Sequence, residues 1–100
     1  MSDIRVVLIE DHDVVRIGLR TVLQIQAGVQ VVGEATTGPQ GLALLQTTEV
    51  DVALVDIGLP GMDGIELVQK FRQFQKEQQR TTTKIIMLTM QGNEETVIAA

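Results

Sequence analysis

The sequence predicts an α/β domain, a doubly wound parallel sheet with helices on both faces, and three observations carry that prediction. Apolar runs of strand length alternate with stretches of helical period, the pattern of stacked βαβ units. The runs Val6-Val7-Leu8-Ile9 and Val52-Ala53-Leu54-Val55 show no polar alternation, as strands covered on both faces require. Aromatic residues make up 2% of the chain and hydrophobic residues 44%, so Val, Ile and Leu must fill the core.

Strands are predicted near 5–9, 30–34, 51–56 and 84–89. Between the first two, Asp13 can cap a helix that places Val15, Leu19, Val22 and Leu23 on one stripe and ends by Gly28, a residue able to take the left-handed conformation. A second helix opens at Pro39, whose missing N–H has no partner to lose in the first turn, and it buries Leu42 and Leu45 before ending near Thr48. A third follows Gly64 with Ile65, Leu67, Val68 and Phe71, then gives way over Gln75–Thr83 to a polar stretch read as a solvated helix end and loop. Asn93 can cap a fourth helix, with Glu94 and Glu95 well placed in its first turn.

One hundred residues suit a single domain spanning 1–100, with no internal repeat or linker composition. The net charge of −5 and the lack of a basic cluster argue against this stretch gripping a phosphate backbone by itself. DNA contact would need another domain. With no cysteine, no apolar run near about 18 residues and no basic start in Met1-Ser2-Asp3, a cytoplasmic, unanchored chain is expected.

Candidate chemistry lies at strand ends. Asp56 closes a buried strand and meets the loop Gly58-Leu59-Pro60-Gly61; Glu10-Asp11 closes the first strand in the same way. In an open α/β sheet, ligands bind outside the carboxyl ends of the strands where the strand order reverses. If the first and third strands are neighbours, about 5 Å apart, the three carboxylates converge there. Either their pKa values rise and they hold protons, or a cation neutralises them; oxygen ligands point to Mg2+ or Mn2+ rather than zinc or copper. Such a site suits phosphoryl transfer with Asp56 as nucleophile, and Thr89 places a hydroxyl on the same edge. His12 reads as a partly exposed packing residue, Asp13 as a cap, Asp63 as a turn residue, and Met62 and Met90 as packing.

These residues, with Leu59-Pro60-Gly61-Met62-Asp63-Gly64, resemble the receiver domain of bacterial two-component response regulators over Ile4 to Ala100. The run Asp11-His12 with Arg16, Gly18 and Leu19 looks most like the NarL/FixJ group, whose receivers precede a LuxR-type helix-turn-helix domain. The resemblance implies a flavodoxin-like sheet of order 2-1-3-4. It implies that Asp56 accepts phosphate from a sensor histidine kinase, and that Asp11, Asp56 and the Gly58 carbonyl hold Mg2+, with Glu10 acting directly or through water. It also implies that Thr89 moves to hydrogen-bond the phosphoryl group and carries the signal onward.

The chain departs from that family pattern in two ways. It stops before the fifth strand, its phosphate-pairing lysine and the fifth helix; Lys84 begins its strand and cannot substitute. Slow phosphorylation is expected, since losing such a charge stabiliser costs about 10²–10³ in rate. Met90 stands where a small residue is usual. An incomplete receiver would bare apolar surface beside the first helix and leave the fourth strand as an open edge, favouring a homodimer or domain-exchanged oligomer.

Two other functions compete. A Mg2+-dependent aspartyl phosphohydrolase usually carries a second carboxylate two residues after its nucleophile; position 58 is glycine, so an enzyme is disfavoured. A scaffold acting by protein contact alone is disfavoured by the intact Glu10, Asp11, Asp56 and Thr89.

Overall fold

The computed structural model describes residues 3–80, 83–91 and 94–99. The elements run β1 (Ile4–Ile9), α1 (Asp13–Gln24), β2 (Val29–Ala35), α2 (Gly38–Thr47), β3 (Val52–Asp56), α3 (Gly64–Gln78), β4 (Lys84–Gln91) and β5 (Glu94–Ala99). They build one sheet in the order β2-β1-β3-β4-β5. The first four strands are parallel in the expected order 2-1-3-4, and β5 lies antiparallel to β4.

Among the described residues the expected fourth helix is absent. Glu94–Ala99, read as helical from its acidic first turn, instead pairs with β4 from Ile86↔Ala99 to Gln91↔Glu94. A bare β4 edge would leave a row of unpaired N–H and C=O groups, and Thr96-Val97-Ile98 is a β-branched run that favours a strand. The expectation of an open β4 edge falls with the helix. Asn93, its expected cap, lies outside the described residues.

Period-two alternation divides the strand side chains between two faces. Val7, Ile9, Ala53, Val55, Ile85 and Met87 form one buried cluster with Leu45, Leu67 and Phe71 of α2 and α3. On the other face Leu8 and Leu88 are buried, whereas Leu54 and Ile86 are only half-buried. Helix α1 buries none of its residues fully, and its Val14, Ile17 and Val22 are exposed.

Local chemistry sets the helix ends. His12, rather than Asp13, takes the N-cap position of α1, and no side chain caps it. Asp13 instead accepts from Arg16 Nη2 at 2.8 Å within the first turn. The helix stops at Gln24, short of Gly28; the Gly28 carbonyl accepts the Ile4 amide at 2.8 Å in the turn into β2. Thr37 Oγ1 accepts the Gln40 amide at 3.2 Å and so caps α2, with Pro39 in its first turn. Helix α3 ends at Gln78 with Gln79 as its left-handed C-cap, so the stretch Gln75–Thr83 holds the helix end as expected; the end is tied down rather than merely solvated, because Arg72 Nη1 donates to Gln75 Oε1 at 2.6 Å and to the Thr83 carbonyl at 3.1 Å. Gln75 is thereby buried.

Candidate functional site

Register brings the acidic strand ends together. Ile9 pairs with Val55 across β1 and β3, so the next residues, Glu10 and Asp56, leave the sheet side by side. The Glu10 amide donates to the Ala35 carbonyl at 3.0 Å, which holds the end of β1 against β2. Asp56 pairs with Leu88, and the Ile57 amide donates to the Leu88 carbonyl at 3.1 Å, which holds the end of β3 against β4. Glu10 and Asp56 are both buried, at 1% and 3% exposure, and that burial of two acids at one edge makes the site.

The loop after Asp56 faces the same edge. The Gly58 amide donates to Asp56 Oδ1 at 3.1 Å and so orients the carboxylate. The chain then reverses through Gly61, whose φ of +80° suits a residue without a Cβ. The Gly38 amide donates to the Pro60 carbonyl at 3.0 Å, and Asp63 caps α3 by accepting the Glu66 amide at 2.8 Å. Asp63 is thus a helix cap as well as a turn residue.

Glu10, Asp11, His12 and Asp56 each offer one donor atom, and these atoms lie within 4.8 Å of one another. The geometry therefore joins the three acids expected from the sequence and adds His12. Its Nδ1 stands 2.5 Å from Glu10 Oε1, 3.3 Å from Asp11 Oδ1 and 3.6 Å from Asp56 Oδ2. Reading His12 as a packing residue missed this. The available signal was its place beside two acids; the direction of its ring was not legible. Arg16 was missed too: its Nη1 donates to the Glu10 carbonyl at 3.2 Å and its Nε lies 3.3 Å from Glu34.

Gly58 sits where a loop ligand was expected, with its amide engaged as above. The backbone of Thr89 directly follows Leu88, the β-partner of Asp56, and pairs with Thr96. Its side chain and that of Met90 lie outside the described residues.

Crowding perturbs the acids. Burial pushes the Glu10 carboxyl above its ordinary value; His12 hydrogen bonding opposes the rise and the Asp56 charge adds to it. Burial likewise raises Asp56, opposed by the Gly58 amide and reinforced by Asp11. His12 is raised by its hydrogen bond to Glu10 and by the charges of Asp11 and Glu10. Glu10 Oε2, Asp11 Oδ1 and Asp56 Oδ2 are buried without a hydrogen-bond partner. Unsatisfied buried acceptors are costly, and a cation among them removes that cost. The donor set fits a hard divalent ion.

Comparison with known proteins decides the family. The model of the response regulator receiver domain matches residues 6–100. The chain belongs to this receiver family. A curated relative, the uncharacterized transcriptional regulatory protein YhcZ of Bacillus subtilis, is 41% identical over 96% of this receiver and 42% of its own length. The solved receiver domain of the putative response regulator NarL from Mycobacterium tuberculosis superimposes at a TM-score of 0.80 with 32% identity, covering 89% of this chain and 68% of that one. RcsB, solved as two dimers bound to two parallel DNAs, matches at a TM-score of 0.77 with 28% identity over 90% of this chain and 44% of that one. This receiver thus spans about two fifths of the curated relative's length. As a member of the family it is a receiver domain of the response-regulator type, a regulatory module. Among the described residues, no helix is long and apolar enough to cross a membrane.

Proposed function

We propose that Asp56 is the phosphoacceptor of this receiver, taking a phosphoryl group from a phosphohistidine on a sensor kinase in a Mg2+-dependent reaction. The change would switch a helix-turn-helix output domain, through which alone the protein meets DNA in the cytoplasm. One observation carries the reading: three carboxylates converge at the β1 and β3 ends, each with a buried oxygen that lacks a partner.

A carboxylate oxygen of Asp56 attacks phosphorus in line; the new O–P bond forms as the donor's N–P bond breaks, and the electron pair returns to the donor imidazole. The Gly58 amide holds Asp56 in one orientation for that attack. Glu10, Asp11, Asp56 and the Gly58 carbonyl would hold Mg2+, which supplies positive charge opposite the phosphoryl oxygens. Thr89, on the strand beside Asp56, would then hydrogen-bond the phosphoryl group and pass the change along β4. The DNA-bound RcsB dimers support paired output domains as the endpoint of the switch.

Treatment with a small acyl phosphate and Mg2+, followed by intact mass, tests the reading. One added phosphoryl group in the wild type, absent in Asp56→Asn and without added Mg2+, is expected. Equal labelling of wild type and Asp56→Asn would overturn it.

A further inference from the structure

We infer that His12 is a nitrogen ligand of the cation held at the β1 and β3 ends, so that this receiver also takes borderline first-row ions such as Zn2+ and Ni2+. The inference rests on the metal site proposed above and goes beyond its oxygen ligands. Its basis is the placement of one ring. Nδ1 faces all three carboxylates, at 2.5, 3.3 and 3.6 Å from Glu10, Asp11 and Asp56. The His12 amide also donates to Glu10 Oε1 at 3.1 Å, which holds the backbone of the residue over the site.

A second observation points to an ion in the same place. The buried oxygens Glu10 Oε2, Asp11 Oδ1 and Asp56 Oδ2 have no hydrogen-bond partner even with the imidazole beside them. The ring therefore satisfies the cluster incompletely. Two donors on one ion are separated by at most twice a bond length of about 2.0–2.2 Å, so the four donor atoms, which lie within 4.8 Å of one another, need to draw in only by tenths of an ångström on binding. The His12 side chain is 53% exposed, so an arriving ion can reach Nδ1 from solvent. Carboxylates suit Mg2+ and Mn2+, whereas an imidazole suits Zn2+ and Ni2+; the mixed set widens the range of ions held. A coordinated ion takes the place of the proton shared between His12 and Glu10.

The chain has one histidine, so any imidazole signal from a bound metal reports on His12. Pulsed electron paramagnetic resonance of the Mn2+-loaded chain is expected to show imidazole nitrogen coupling in the wild type and none in His12→Ala. Calorimetric titration should show Zn2+ and Ni2+ affinity falling about 10–100-fold in His12→Ala and His12→Gln, with Mg2+ affinity changed by less than about threefold. Asp56→Asn should weaken every ion. Zn2+ binding that survives Asp56→Asn but not His12→Ala would mark an isolated surface histidine and overturn the inference. Mg2+ binding that depends on Asp56 with no imidazole coupling would also overturn it, while leaving the oxygen site standing. Binding of all ions strengthened alike by His12→Ala would show the ring to be a competitor for the site rather than a ligand.

Discussion

The Gly64 amide donates to the Ile57 carbonyl at 2.7 Å, and this bond folds the loop after Asp56 back so that α3 starts against the strand end carrying the carboxylate. The approach is close. A Cβ on Gly64 would stand 2.9 Å from Ile57 Cα and 3.0 Å from the Asp56 carbonyl carbon. Both neighbours are backbone and cannot swing aside. Gly64→Ala is therefore expected to lower stability by about 1–3 kcal/mol, read as a lower urea midpoint. An unchanged midpoint would show that the loop has slack the geometry denies.

Asp63 closes the same loop by capping α3 through its 2.8 Å bond to the Glu66 amide. Replacing it with alanine leaves that amide without its acceptor and should cost about 1 kcal/mol, whereas Asp63→Asn keeps a cap of similar strength. Equal losses for the two substitutions in denaturant melts would assign Asp63 some role other than capping.

The pH dependence of the metal-free protein follows from the same crowding. His12 is raised above 6.5, chiefly by its hydrogen bond to Glu10, so its protonated form stabilises the fold. That contribution is complete below pH 6.5 and is lost as pH rises through the higher folded value. The ring-proton NMR titration of His12 should have its midpoint above 6.5; a midpoint at or below it contradicts the geometry.

Glu10 and Asp56 respond in the same direction. Burial raises both carboxyls, so the folded chain binds more protons than the unfolded chain and loses stability as pH climbs above their ordinary values of 4.5 and 3.8. Without metal, Asp56→Asn should melt above the wild type at neutral pH, and the gap should close as pH falls below 3.8. A gap that does not vary with pH would mean that the Asp56 charge is not its cause.

Much of the fold was legible because the strands announce themselves. Val6–Ile9 and Val52–Val55 are unbroken aliphatic runs, each followed at once by an acid, so adjacency of the two strands sufficed to bring Glu10 and Asp56 together. Pro39 and Gly64 marked helix starts for local reasons. What was not legible depended on which side chains and strand edges meet in space. Gln75 looks like a solvent residue until Arg72 turns back to meet it, and Glu94-Glu95 reads as a helix start until the edge of β4 offers a ladder. His12 was undervalued because sequence position does not give the direction of a ring.

The central claim, that the ends of β1 and β3 hold a hard cation against Asp56, is tested most directly by urea melts with and without Mg2+. At about 10 mM Mg2+ a site of millimolar affinity should add roughly 1 kcal/mol to the wild type and nothing to Asp56→Asn. The same gain in both proteins would contradict the claim.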